Sequence, residues 1–318
     1  MLSRVADAVY WMNRYVERAE NVARFVDVNL HLALDLPEGA SEQWAPLVAT
    51  TGDDAWFRAR YGVSTRAAVM KFLTFDAEYP SSILSCLRAA RENARCVREI
   101  ISSEMWESIN KAHLLVQAAA RRPDEVMAAP HEFYDAVKLA AQQYIGTLYV
   151  TMTHNEAWHF ARLGRLLERA DKTSRIVDVK YFLLLPEPSY VGTAYDEIQW
   201  ASLLKSASAF EMYRKRYGLI TPERVVEFLL FDPKFPRSSR YCVTKAERSL
   251  HAITGAPLDA GDTPAERALH TLRAELARGA ARAAIAGGLH EYLDAFQVRA
   301  NAVDDAVFET FFRLRPVV

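Results

Sequence analysis

The segment Glu17-Arg18-Ala19-Glu20…Arg24…Val26-Asp27-Val28 recurs as Glu168-Arg169-Ala170-Asp171…Arg175…Val177-Asp178-Val179. Trp44-Ala45 is answered by Trp200-Ala201, and Arg60-Tyr61-Gly62 by Arg216-Tyr217-Gly218. Phe72-Leu73…Phe75-Asp76…Pro80…Ser82…Cys86 is answered by Phe228-Leu229…Phe231-Asp232…Pro236…Ser238…Cys242, and His131-Glu132…Asp135-Ala136 returns as His290-Glu291…Asp294-Ala295. A period of roughly 150 residues is too long for a solenoid; it reads as an internal duplication, two similar units packed about a pseudo-twofold axis. The copies span residues 1–151 and 152–318 and are expected to form one fused globular unit.

Each unit reads as an all-α bundle of about six helices. Glycine (12) and proline (13) are too sparse in 318 residues for the frequent turns of a β protein, and a hydrophobic content of 51% is ample for a core. Thr263-Pro264-Ala265-Glu266 has the form of a capping box, Thr153-His154-Asn155-Glu156 is a second candidate, and Thr221-Pro222-Glu223 opens another helix. Phe75-Asp76 closes a helix, after which Ser81 or Ser82 caps the next. The longest loop candidates are residues 186–195 and 255–264.

Lys plus Arg (39) nearly balance Asp plus Glu (40), so no global field draws the chain to nucleic acid or an anionic membrane. Aromatic residues such as Trp11, Trp44 and Trp200 fall at core phase, not interleaved with basic residues as on a single-strand binding platform. No segment approaches 18 consecutive apolar residues, and Arg4, Asp7, Asn13 and Arg14 interrupt the place of a signal sequence. Cys86, Cys96 and Cys242 form no Cys-x-x-Cys pair and read as plain core thiols of a cytoplasmic protein.

On a helical wheel, Trp11, Tyr15, Ala19, Val22, Phe25 and Val26 make one apolar arc, with Asn13, Glu17, Glu20, Arg24 and Asp27 opposite, the pattern of an amphipathic core helix. Arg18 lies at the edge of the apolar arc, as Arg169 does in the second copy, and needs a carboxylate or carbonyl partner there. Solvated faces usually drift after duplication, yet Arg14, Glu17, Arg18, Arg24 and Asp27 are matched identically by Arg165, Glu168, Arg169, Arg175 and Asp178. They are either an ion-pair lattice docking the copies or a ligand or partner site. The helix after Ser82 sets Arg88, Arg91, Arg95 and Arg98 on a stripe that copy two lacks, keeping only Lys245 and Arg248 nearby. That stripe is a solvated face or a dock for an acidic partner or phosphate.

Glu156-Ala157-Trp158-His159 has the Glu-x-x-His spacing of di-iron carboxylate bundles, but the second motif is missing; Glu17 and Glu20 could add carboxylates. No metal is expected. His131 and His290 are read as local helix caps. The sequence has no Gly-x-Ser-x-Gly elbow, Walker loop, Gly-x-Gly-x-x-Gly or His-Glu-x-x-His, which points away from catalysis by this chain alone.

Met1-Leu2-Ser3-Arg4…Tyr10-Trp11…Arg14-Tyr15…Glu17-Arg18-Ala19-Glu20-Asn21 resembles the opening of the bacterial alpha-E domain family. Pro80-Ser81-Ser82-Ile83, Ala90-Arg91-Glu92-Asn93-Ala94-Arg95, Arg165-Leu166-Leu167-Glu168-Arg169-Ala170-Asp171, Pro236-Arg237-Ser238 and Leu289-His290-Glu291-Tyr292-Leu293 continue the likeness. The family is encoded beside, or fused to, ATP-grasp-type proteins, often with a transglutaminase-like protease and sometimes a proteasome-like hydrolase. The resemblance therefore implies an accessory subunit that partners an ATP-grasp-type ligase in an amide- or peptide-forming system, with ATP and magnesium on the ligase and no cofactor on this chain. The alternatives are an enzyme subunit gripping an anionic or peptide ligand with paired Glu and Arg residues between the copies, and a carboxylate/His metal-binding bundle. Asn13 stands opposite Gly164, where relatives are expected to carry a small residue in both copies, so symmetry should break there.

Overall fold

The computed structural model describes residues 1–34, 43–182, 193–258 and 261–313. The described residues form α-helices and no strand. Up to Thr151 they are α1 (Ser3–Leu34), α2 (Ala45–Ala49), α3 (Asp54–Tyr61), α4 (Arg66–Phe75), α5 (Ile83–Cys96), α6 (Ser103–Ala120), α7 (Pro123–Ala128) and α8 (Pro130–Thr151). Then follow α9 (Glu156–Phe182), α10 (Ala194–Ser206), α11 (Phe210–Tyr217), α12 (Pro222–Val226, widening into a π turn over Glu227–Phe231), α13 (Ser239–Thr254), α14 (Pro264–Arg278), α15 (Ala281–Ala286) and α16 (Leu289–Val307, widening over Phe308–Phe312). Among the described residues eight helices fall on either side of the 152–155 connection, more than the six per unit expected. The additions are short: α2 has five residues and α7 six, less than two turns, too brief to leave a 3.6-residue pattern.

The serine and threonine cap signals hold with one exception. Ser82 accepts from the Ser85 amide, Thr221 from that of Arg224, and Thr263 and Glu266 close a reciprocal capping box. At the start of α9 the box predicted from Thr153 does not form; the Asn155 carboxamide accepts from Ala157 and Trp158 instead. The turns after α4 and α12 are built alike. Asp76 receives the Glu78 and Tyr79 amides and Asp232 those of Lys234 and Phe235, while Ser82 and Ser238 donate to the Asp76 and Asp232 carbonyls. Of the two loop candidates, 186–192 and 259–260 lie outside the described residues, α10 already begins at Ala194, and 255–258 and 261–263 are non-helical as expected.

α1 and α9 lie against each other at the centre, α1 flanked by α5, α8 and α10, and α9 by α13 and α16. One apolar cluster runs through both halves, joining Val9 and Met12 of α1 to Phe160 and Leu163 of α9; a second, from Ala19 to Val137, fills the rest of the first half. The close approach requires Gly164, because a Cβ there would fall 2.5 Å from the Tyr10 carbonyl oxygen. Asn13, at the matching place in α1, donates to the Val9 carbonyl and accepts from the Tyr144 hydroxyl, so the symmetry does break here.

The amphipathic reading of α1 is corrected. Asn13, Glu17 and Glu20 of the supposed outer arc are 0% exposed, whereas Trp11 and Tyr15 of the apolar arc are only partly buried. Glu17 meets Arg169 of α9, Glu20 meets Arg24 and the Arg237 that precedes α13, and Asn13 and Asp27 are met by residues of α8.

Candidate functional site

The centre of the molecule is an exchange of ion pairs between α1 and α9. Arg18 sends Nε and Nη2 to the two oxygens of Glu168 at 2.7 and 3.0 Å. Arg169 sends the same atoms to the two oxygens of Glu17, both at 2.7 Å. Planar forks of this kind are the strong form of the charge-assisted hydrogen bond. The partner required by Arg18 is thus supplied by the other half of the chain.

Around this shared core the two sides differ. Glu168 also takes Arg14 Nε at 2.9 Å and has Lys172 Nζ at 3.6 Å. Glu17 takes Arg237 Nη1 at 3.3 Å, and Arg237 reaches on to Glu20 at 2.6 Å. In the repeat register Lys172 matches Asn21, and Arg237 matches Ser81. Each glutamate therefore receives its further cation from a different position. Burial pushes the Glu168 carboxyl up, but Arg18, Lys172 and Arg14 outweigh it and hold it well below the usual carboxylate range. Glu20 is likewise raised by burial and brought down to about 2 by Arg237, Arg24 and Arg169.

Arg14 and Arg165 match in sequence but not in partners. Arg14 contacts Asp304 at 2.5 Å, the Tyr10 hydroxyl and Glu168. Arg165 donates to the Tyr149 hydroxyl at 3.2 Å, and burial lowers its guanidinium below the usual range. Arg175 is bound to Asp171 and to the Thr50 carbonyl. Of the residues read as either an ion-pair lattice or a ligand or partner site, Arg14, Glu17, Arg18, Glu168 and Arg169 pair with one another between α1 and α9, and Arg165 and Arg175 lie beside them on other partners. A ligand gripped there would have to displace bonds that Glu17 and Glu168, both 0% exposed, already make.

Arg24 and Asp27 fall elsewhere. Asp27 lies at the edge of α1 with His131 Nδ1 2.7 Å from Oδ1 and Lys138 Nζ 2.6 Å from Oδ2. Asp178 meets His290 in the same way at 2.8 Å. The helix-cap reading of both histidines is corrected: each reaches across to an aspartate on the long helix of its own half, and neither α8 nor α16 has a side-chain cap. His31 brings a second imidazole to Asp27, its ring 4.0 Å from that of His131, where the repeat has Phe182. Asp27, His31 and His131 are the three-residue set with metal-ligand reach among the described residues. Glu156 and His159 belong to no such set, and Glu17 and Glu20 are bound to arginines.

The arginine stripe is also divided. Arg88 holds the Ala77 carbonyl, Arg91 binds Asn110 and Glu92, Arg95 binds Glu92, and Arg98 stacks 4.9 Å over Trp106. Arg98 stands beyond the last residue of α5, Cys96, so the stripe is not continuous along one helix. Cys86 and Cys242 are core thiols, each pushed up to about 12 by burial, but Cys96 is exposed, against expectation.

Arg237, Lys172 and Lys138 were missed in the sequence because a search for identities passes over positions where the copies differ. Their signal is that difference: Arg237 against Ser81, Lys172 against Asn21, Lys138 against Gln297.

A helical protein closed by reciprocal Glu–Arg forks is the class this geometry defines. The family model Alpha-E, a predicted alpha-helical domain with a conserved ER motif, matches residues 1–312, and the chain belongs to that family. Glu17-Arg18 and Glu168-Arg169 are the Glu-Arg pairs of its seam. An uncharacterized protein of Mycobacterium bovis and two of Mycobacterium tuberculosis are each 24% identical over 298 residues, covering 86% of this chain and 32% of their own length. The chain thus spans about a third of the curated relatives it matches. No solved structure matches it. No described helix is long and apolar enough to cross a membrane.

Proposed function

We propose that the chain is a helical partner module that binds an ATP-grasp-type ligase and positions or presents its substrate in a cytoplasmic amide- or peptide-forming system. A transglutaminase-like protease is a further component, and ATP and magnesium belong to the ligase. The observation that carries this reading is the closure of the Glu-Arg seam, which makes the signature residues an architectural lock instead of a reacting group. The relatives support it, since this unit there occupies a third of a longer chain, as a module joined to other parts does. The parallel order of the two helix series supports an origin by duplication.

Co-expression of the chain with the ATP-grasp-type protein of its own operon, followed by size-exclusion chromatography, tests the reading. Co-elution as one complex is the expected result, and separate elution at micromolar concentration overturns it. The same closure argues against a ligand gripped by Glu17, Arg18, Glu168 and Arg169 between the halves.

A further inference from the structure

A cavity lies beside Asp27, outside the seam. It has a volume of about 340 Å³, at the lower end for small-molecule sites, and its wall includes Arg24, Asp27, His31, Lys138, Ser202 and Lys205. Three long cations from α1, α8 and α10 converge on it; Arg24 is paired with Glu20 and Lys138 with both Asp27 and Asp135, while Lys205 adds an exposed ammonium. Asp27 is already engaged on both oxygens, by His131 and by Lys138.

Arg24 supplies the second observation. It is 8% exposed and gives Nη2 to Glu20 at 2.6 Å, but its buried Nε has no partner. A buried donor without an acceptor costs about 1–3 kcal/mol, so Arg24, which lines the cavity, is incompletely satisfied by Glu20. The matching Arg175 carries no such vacancy, because its Nε is bound to Asp171. Nor does the second half repeat the cations: Lys138 matches Gln297 and His31 matches Phe182. The halves therefore differ at this cavity, as they do at the seam.

Val28 and Leu32 form an apolar edge and continue into a smaller notch of about 40 Å³ lined by Phe25, Leu47 and Ile176. We infer that this cavity binds a small organic anion, its carboxylate or phosphate head held by Arg24, Lys138 and Lys205 and its carbon skeleton laid against Val28 and Leu32. A divalent cation on Asp27, His31 and His131 is the competing occupant. It would have to displace Lys138 from Asp27 and sit beside that displaced ammonium, which Coulomb's law opposes. This inference stands apart from ligase docking, and the isolated chain tests it.

Isothermal titration of the purified full chain with inorganic phosphate, glutarate and zinc decides the matter. One-to-one saturable binding of phosphate or glutarate is expected, and the tighter of the two identifies the head group. Lys205→Glu, at an exposed position, should weaken that binding by about tenfold or more, whereas Lys111→Glu, the same charge change on α6, should leave it unaltered. Absence of saturable anion binding, equal loss in both variants, or one-to-one zinc binding without anion binding each overturns the proposal. Far-ultraviolet circular dichroism of Lys205→Glu confirms that a loss is not unfolding.

Discussion

Arg169 donates Nε and Nη2 to the two carboxylate oxygens of Glu17, a residue 152 positions earlier in the chain. The bond joins the halves where α1 and α9 meet, with Glu17 shut away from solvent. Removing one partner from such a pair leaves the other buried without compensation. Arg169→Ala is expected to lower unfolding free energy by about 3–5 kcal/mol in urea denaturation. A loss under about 1 kcal/mol would place the fork among weak surface pairs.

The unequal supply of cations gives a sharper test. Arg237→Ser places at 237 the residue found at Ser81 and strips Glu17 and Glu20 of a partner; a loss of about 2–4 kcal/mol is expected. Adding Asn21→Lys imitates Lys172 and returns a cation beside Glu17. Denaturation of the double variant should recover part of that loss, showing the coupling of neighbouring charges.

Acid should open the seam. Glu20 and Asp171 are both lowered to about 2, and Glu168 is held well below its usual value, in each case because cations outweigh the upward push of burial. Carboxylates depressed in the folded state contribute stability that is complete above their unfolded values near 4 and disappears as pH falls through the folded ones. Urea midpoints should be level from pH 7 to about pH 5 and fall steeply towards pH 2.5, with Glu20 and Asp171 each accounting for roughly 2–3 kcal/mol. A midpoint that stays level to pH 3 contradicts this.

Two helical glycines should respond oppositely to alanine. Gly164→Ala drives a Cβ to 2.5 Å from the Tyr10 carbonyl and should cost about 1–3 kcal/mol by forcing α1 and α9 apart. Gly146→Ala on α8 meets nothing within 4 Å and should add about 0.5–1 kcal/mol through helix propensity. Thermal denaturation of both variants gives the signs directly.

Thiol labelling reads the core without mutation. Cys96 should react with an aromatic disulfide reagent in the native protein, while Cys86 and Cys242, pushed up to about 12 by burial, stay protected until the chain unfolds. Fast release from more than one thiol in native buffer would show that the core opens.

Much of this was legible beforehand, for reasons particular residues show. Arg18 and Arg169 at an apolar edge required a carboxylate or carbonyl partner, and the matched Glu17 and Glu168 stood among the candidates that the structure then paired with them. Caps at Ser82, Thr221 and Thr263 were readable because they depend on neighbours within four residues. The burial of Asn13, Glu17 and Glu20 was not, because a wheel assigns polar arcs to water and knows nothing of a second polar arc brought against it. His131 looked like a cap for the same reason: its partner, Asp27, is remote in sequence. The cavity beside Arg24 combines α1, α8 and α10, and Lys138 and Lys205 share no motif that would have joined them.

Because each glutamate at the seam is answered from across it, neither half contains its own complement. A chain cut in the connection 152–155 would leave Glu17 and Arg18 in one piece, and Arg169 and Glu168 in the other. Each fragment then carries an acid followed by a base in the same order, a surface that fits the other fragment and, by the same pairing, a second copy of itself. The lock that closes the intact protein thereby becomes a code for assembly when the chain is divided.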